Sequence, residues 1–356
     1  MFNQRIKNLR KAMVNKGIDG VLLVSDPNRN YMSGFTGDES FSIITLDKAI
    51  FITDSRFTEQ ARQQVSKDYE VVQYGGNFSS FLGDMVEKLK IKRIGFEEDT
   101  ISVSTYNGYK KNVKAELVPL EGMVEDLRII KDEKEIASIK KAAAIADKAF
   151  SHMLQFIKKG MTEREVGLEL EFTMKKLGAR DLSFPSIVAS GERSCLPHGQ
   201  ATEKVIEDGD FLTLDFGCIF EDYCSDMTRT IVIGKPTDKM KEIYNVVLEA
   251  NKEAIKVIKS GITGREVDKV ARDLIASHGY GENFGHGLGH GVGRQIHEAP
   301  RVSPASETVL KSGMIVTDEP GIYIPGFGGV RIEDLIVVKD DGCEVISSSP
   351  KELICL

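Results

Sequence analysis

The chain has 356 residues, 41% hydrophobic and 28% charged, and carries a formal net charge of −7. At roughly 150 residues per domain that suggests about two domains with sizeable cores, and it excludes a largely disordered, collagen-like or disulfide-stapled chain. The two signs of charge are interleaved without a basic block, and no apolar run approaches the ~18–20 residues of a membrane span, so neither nucleic acid nor a bilayer is an expected partner. The opening stretch, MFNQRIKNLRKAMVNKG, has no apolar segment of a secretory leader. Instead Ile6, Leu9 and Met13 recur at helical spacing between Arg5 and Lys16, and Gly17 stops the helix. Gly20–Val24 then predicts a short buried strand, ended by a turn at Asp26-Pro27-Asn28. Further strands are expected at Phe41–Leu46, Ala49–Thr53, Glu70–Gln73 and Arg93–Phe96, with helical pieces at Asp54–Ser66 and Phe78–Lys90. Such alternation predicts an α/β layer for residues 1–125.

Residues 126–356 have a different texture. Leu127–Lys131 reads as a link, and from Asp132 a long apolar stripe runs through Ile136, Ile139, Ala143, Ala146, Phe150, Met153 and Ile157 to Gly160. An internal repeat follows. Ile157-Lys-Lys-Gly-Met-Thr-Glu-Arg-Glu-Val166 matches Ile258-Lys-Ser-Gly-Ile-Thr-Gly-Arg-Glu-Val267. Each copy holds a capping box, Thr162 with Glu165 and Thr263 with Glu266, and each helix is expected to end at a glycine, Gly178 or Gly279. Farther on, Val205–Gly217 aligns with Val309–Gly321, which sets Asp215 on Glu319, and a second match sets Asp226 on Glu333. A repeat of two copies predicts one α+β domain with a pseudo-twofold axis.

Each copy thus supplies two acids from its strands. Asp215 lies in the strand Phe211–Phe216, Asp226 precedes the strand Thr228–Ile233, and the residues between could turn as a hairpin. Glu319 follows the strand Gly313–Thr317, and Glu333 is expected within a strand Val330–Val338, where alternation would put Arg331 on its face. Four carboxylates meeting on a shared axis raise one another's pKa, and bound cations would neutralise them. Oxygen donors with one imidazole are a hard ligand set. Gly285-His286-Gly287-Leu288-Gly289-His290-Gly291-Val292-Gly293 offers that imidazole in a frame free of side-chain bulk. The run is out of register for a dinucleotide-binding fingerprint, and His297-Glu298 lacks the second histidine of a zinc-peptidase helix.

Together these residues resemble the pita-bread metallopeptidases, which include Xaa-Pro dipeptidase (prolidase), aminopeptidase P and methionine aminopeptidase. The stretches that carry the resemblance are Leu196-Pro197-His198-Gly199, Leu214–Gly217, Ser225–Thr230, Gly285–Gly293, Ile296-His297-Glu298, Glu319–Tyr323 and Val330–Asp334. Asn30–Gly37 and Asp54–Phe57 look like the family's creatinase-type N-terminal domain, which methionine aminopeptidase lacks. The resemblance implies two divalent ions, Mn²⁺ first with Co²⁺, Fe²⁺ or Zn²⁺ as alternatives, held by Asp215, Asp226, His290, Glu319 and Glu333. Such a pair can ionise a bridging water near neutral pH and polarise a scissile carbonyl. It also implies proton transfer by Glu319, donors at His198 and His297, substrate contact at His286 and carboxylate orientation by Arg331. The expected substrates are short proline-containing peptides cleaved at the Xaa-Pro bond, and the expected protein is a cytoplasmic homodimer.

Two rivals use the same fold: a creatinase-like amidinohydrolase, which dispenses with the metals, and an inert peptide- or protein-binding module. The filled acid set argues against both. Dipeptidase and aminopeptidase P stay undivided by the sequence. His152 and His278 read as structural, and Tyr323 is left open between core and site. Asp318 stands where the family has an apolar residue; alternation turns it away from Glu319, so it is expected to be paired and to take no catalytic part. The odd number of cysteines, five with no Cys-x-x-Cys pair, reads as reduced thiols, and Cys195, Cys218 and Cys224 as small buried residues.

Overall fold

The stripe Ile6, Leu9 and Met13 buries one face of a helix, Phe2–Lys16, in a computed structural model that describes residues 2–356. Two compact units divide the chain, Met1–Arg128 and Ile129–Leu356. The first is built on a six-stranded mixed sheet, in the order Glu70–Gln73, Ala49–Thr53, Ser40–Thr45, Gly20–Leu23, Arg93–Phe96, Glu116–Pro119. Strand alternation loads both faces. Val21 and Leu23 join Leu9 and Met13 in one core, and Leu22 joins Ile43, Ile52 and Leu82 in the other. Asp26-Pro27-Asn28, expected as a turn, instead opens the helix Asp26–Ser33. Proline in a first turn gives up an N–H that has no helical acceptor, so it starts this helix and does not break it. The helical piece at Asp54–Ser66 is shorter than expected, Thr58–Gln64. Sequence patterning gave no signal for the helices Val103–Asn112 and Met123–Arg128 or the strand Glu116–Pro119.

In the second unit the helix Glu133–Phe156 starts from a capping box at Asp132 and buries Ile139, Ala143, Ala146, Phe150 and Met153. The repeat is physical. The helices Glu163–Lys176 and Gly264–Ser277 both begin with the expected capping boxes, and Thr162 bridges to Val205 as Thr263 bridges to Val309. Each copy has its own core: Phe150, Val166, Leu170, Leu212 and Ile231 in the first, Val247, Val267, Ala271, Val316 and Ile336 in the second. Beneath the helices lie a three-stranded antiparallel sheet (Met227–Val232, Phe211–Phe216, Ile187–Ser190) and a five-stranded one (Glu298–Val302, Gly289–Gly291, Ile315–Asp318, Asp334–Val338, Cys343–Val345).

The strand expected at Val330–Val338 is two strands. Gly328–Arg331 pairs with Gly321–Ile324 in a separate ribbon, while Asp334–Val338 pairs with Ile315–Asp318 in the larger sheet. The chain changes sheets at Ile332-Glu333. Thr228 bridges the break, because its carbonyl accepts from the Glu333 N–H at 3.1 Å and its hydroxyl donates to a Glu333 carboxylate oxygen at 2.6 Å. The two copies are therefore stitched together where both strands carry their acids.

Candidate active site

Along Phe211–Phe216 every residue is buried, and Asp215 lies opposite Thr228 of the neighbouring strand. The hairpin returns Asp226 to the same edge. In the other copy Glu319 leaves the end of its strand, held by an N–H bond of 2.8 Å to the Leu288 carbonyl. His290 is delivered between two close-packed neighbours, and its flanking glycines explain how. A Cβ on Gly289 would lie 2.1 Å from the Thr317 carbonyl oxygen, and one on Gly291 2.2 Å from that of Ala299.

All of Asp215, Asp226, His290, Glu319, Glu333, His198, His286, His297 and Arg331 line one cavity of about 690 Å³. Ligand atoms of Asp226, His290 and Glu333 lie within 4.8 Å of one another. The imidazole Nε2 of His290 is 3.6 Å from Asp226 and 3.5 Å from Glu319, while its Nδ1 faces the Gly291 carbonyl at 3.1 Å. That carbonyl selects the tautomer with Nδ1 protonated, which leaves the Nε2 lone pair aimed at the acids. Burial lowers His290 to about 3, so the ring is neutral and free to ligate. His297 packs edge-on to it with ring centroids 4.4 Å apart.

Asp215 stands apart from the closest group. Arg331 donates to one of its oxygens at 2.6 Å, and the other oxygen is buried without a hydrogen-bond partner. The same guanidinium reaches the Thr228 hydroxyl at 3.0 Å and the Tyr323 hydroxyl at 2.8 Å. Tyr323 in turn donates to His286 Nε2 at 2.9 Å, and the His286 Nδ1 faces the Gly287 carbonyl at 2.8 Å. Burial holds His286 neutral, down at about 4. A rigid relay thus runs from Asp215 through Arg331 and Tyr323 to His286. The sequence left Tyr323 open; its signal was Gly321, two positions earlier on the strand, whose absent Cβ makes room for the tyrosine hydroxyl at 2.5 Å.

The donor set fits a divalent cation. Burial and then the charges of neighbouring acids push Asp226 and Glu333 well above the ordinary carboxylate range. Burial lifts Glu319 to about 8, against the attraction of Arg331. Packed so closely, the acids must share protons or share cations. An orphan carboxylate oxygen on Asp215 and an imidazole lone pair facing the same group fit the second alternative.

Asp318 faces the other way. Its carboxylate accepts from the Asn251 amide at 2.9 Å in a buried network with Asp334, which Arg229 and Lys351 neutralise at 2.8 and 2.6 Å. Burial pushes the Cys218 thiol up to about 11 and Cys224 to about 12, so both stay protonated, and neither is among the described residues that line the cavity.

The chain is similar along its length to known proteins. Residues 137–340 match the model of metallopeptidase family M24, and residues 5–130 match the creatinase/prolidase N-terminal domain. The Xaa-Pro dipeptidase of Pyrococcus horikoshii is 42% identical over 358 residues, covering 99% of both chains. The solved structure of a Xaa-Pro dipeptidase from Bacillus anthracis is 53% identical with a TM-score of 0.98, covering 100% of both. An X-Pro aminopeptidase structure from Thermotoga maritima is 42% identical with a TM-score of 0.91, covering 97% of this chain and 100% of that one.

Proposed function

This chain belongs to metallopeptidase family M24, with a creatinase-type first domain and a pita-bread second domain, and we propose that it hydrolyses the Xaa-Pro bond at the N-terminus of dipeptides or short peptides. The observation that carries the reading is the convergence of Asp226, His290 and Glu333 within 4.8 Å, with Asp215 and Glu319 in the same cavity as three further imidazoles. As a metallopeptidase of this family it works with divalent metal ions; two Mn²⁺ ions held by Asp215, Asp226, His290, Glu319 and Glu333 are the proposed complement. Bound there, they would supply a nucleophilic water at neutral pH and polarise the scissile carbonyl.

The protein's own groups do the rest. Glu319, whose carboxylate lies 3.5 Å from His290, would accept a proton and pass it to the leaving nitrogen. His198 and His297 line the cavity as donors for charge that develops on the tetrahedral oxygen. His286, fixed by Tyr323, would contact the substrate, and Arg331 holds one oxygen of Asp215, which would leave the other to a bound cation. A homodimer in the cytoplasm completes the proposal. No described helix is long and apolar enough to cross a membrane.

Chelation followed by readdition of Mn²⁺ or Co²⁺ tests the reading, with Ala-Pro and Ala-Pro-Ala as substrates. Cleavage lost and regained supports a metallopeptidase, and the ratio of the two substrates divides dipeptidase from aminopeptidase. Cleavage of neither substrate by metal-loaded protein would favour an inert binding module. Turnover undiminished after chelation would overturn the metal assignment.

A further inference from the structure

His198 lines the cavity but makes no hydrogen bond to any described protein group, so its place is set by the backbone that carries it. That backbone leaves the strand Ile187–Ser190 through a 3-10 turn, Gly191–Cys195, and loops past His198 to Thr202, with Gln200 bridging back to Ile187. Both ends of the loop meet on one buried carboxylate. Oε1 of Glu163 accepts from the Ser190 N–H at 2.8 Å and its hydroxyl at 3.0 Å. Oε2 accepts from the Thr202 N–H at 3.0 Å and its hydroxyl at 2.7 Å, and from the Arg193 guanidinium. Arg193 then donates to the Gln200 carbonyl at 2.9 Å, which closes the loop across its middle. Five donors on one carboxylate that is fully buried make a clamp. Burial raises the acid, but Thr202, Ser190 and Arg193 together outweigh it, and the group stays ionised.

The repeat supplies an internal control. Glu163 and Arg164 donate backbone bonds to the carbonyls of Lys204 and Thr202 at 3.0 Å each; Gly264 and Arg265 donate the equivalent bonds to Thr308 and Ser306 at 3.0 and 2.9 Å. Where the first copy has Glu163, the second has Gly264, and a Cβ there would lie 2.4 Å from the Arg301 carbonyl oxygen. The helix start needs no carboxylate. Only the copy with the His198 loop has one, and there it joins the loop's two ends.

We infer that Glu163 is a positioning residue that acts through His198, holding the Ser190–Thr202 loop so that the imidazole meets the substrate in the transition state. The inference rests on the donor role proposed for His198, and the test separates the two. In the metal-loaded protein Glu163→Gln puts an amide where only acceptors fit, so kcat on Ala-Pro is expected to fall about 10²-fold with KM little changed. Amide exchange is expected to rise in residues 191–201 while metal content holds. In a His198→Ala background the same substitution should cost nothing further, within about twofold. A loss in E163Q that multiplies upon that of H198A, or full turnover in E163Q, overturns the clamp. A harmless H198A overturns the role of His198 and the inference with it, while leaving Xaa-Pro hydrolysis itself standing. Should E163Q fail to fold, Thr202→Val removes one donor and leaves no unpaired charge; about a tenfold fall in kcat on that variant supports the clamp, and none overturns it.

Discussion

Arg331 ties three side chains of the site together, because each arm of its fork has a different partner: Nη2 on Asp215, Nε on Thr228 and Nη1 on Tyr323. A lysine has one nitrogen on a flexible stem and cannot span three acceptors. Arg331→Lys is therefore expected to lower kcat/KM about 10–100-fold and to loosen metal binding, measured by steady-state kinetics and by metal retained after gel filtration. Unchanged retention would show that Asp215 does not depend on this arginine. Tyr323→Phe is milder: it cuts the hydroxyl between His286 and Arg331 yet keeps the ring, and about a tenfold fall in kcat/KM is expected. The resemblance pointed to Arg331 as an orienting residue, but the shared strand face expected for Arg331 and Glu333 does not form. Arg331 ends one ribbon, and Glu333 precedes a strand of another sheet. Both residues reach the cavity because the chain changes sheets between them.

Element by element, local signals were legible and long-range ones were not. Capping boxes at Thr162 and Thr263 are written within four residues, so they survive any tertiary context. The glycine frame of His290 was equally visible, since only a missing side chain permits main chains that close. Gly289→Ala would drive a Cβ to 2.1 Å from the Thr317 carbonyl, and the strands must separate. That variant is expected to unfold at a lower temperature and to lose metal, read by calorimetry and metal analysis. Thr263→Ala is the contrast: it should cost about 1 kcal/mol of stability and leave kcat intact, because the cap lies outside the cavity. The carboxylate of Glu163 was invisible beforehand. It sits inside a capping box that already explained its neighbours, and its partners lie 27 to 39 residues away. The network of Asp318, Asn251 and Asp334 was half visible: alternation turned Asp318 inward, but nothing in the sequence identified Asn251, 67 residues earlier, as its donor.

At the scale of the catalytic unit, two halves with separate cores meet along the strands that carry their acids, so the folded protein gathers several buried carboxyl groups around one cavity. The sign of the consequence follows from linkage. Asp226, Glu319 and Glu333 titrate above their unfolded values when no cation is present. A carboxyl raised in this way gives its full contribution to stability below the unfolded value, near 4.5 for glutamate, and loses it as pH rises through the folded value, about 8 for Glu319. The metal-free protein is therefore expected to unfold at progressively lower temperature across that window. Divalent cations reverse the slope, because they compete with protons for the same oxygens: the stabilisation they add grows with pH, and their binding releases protons. Calorimetric scans with and without Mn²⁺, and titrations in buffers of different ionisation enthalpy, measure both. A flat metal-free profile, or binding without proton release, would mean that the acids do not share protons in solution and that the two halves do not close on one another as the cavity requires.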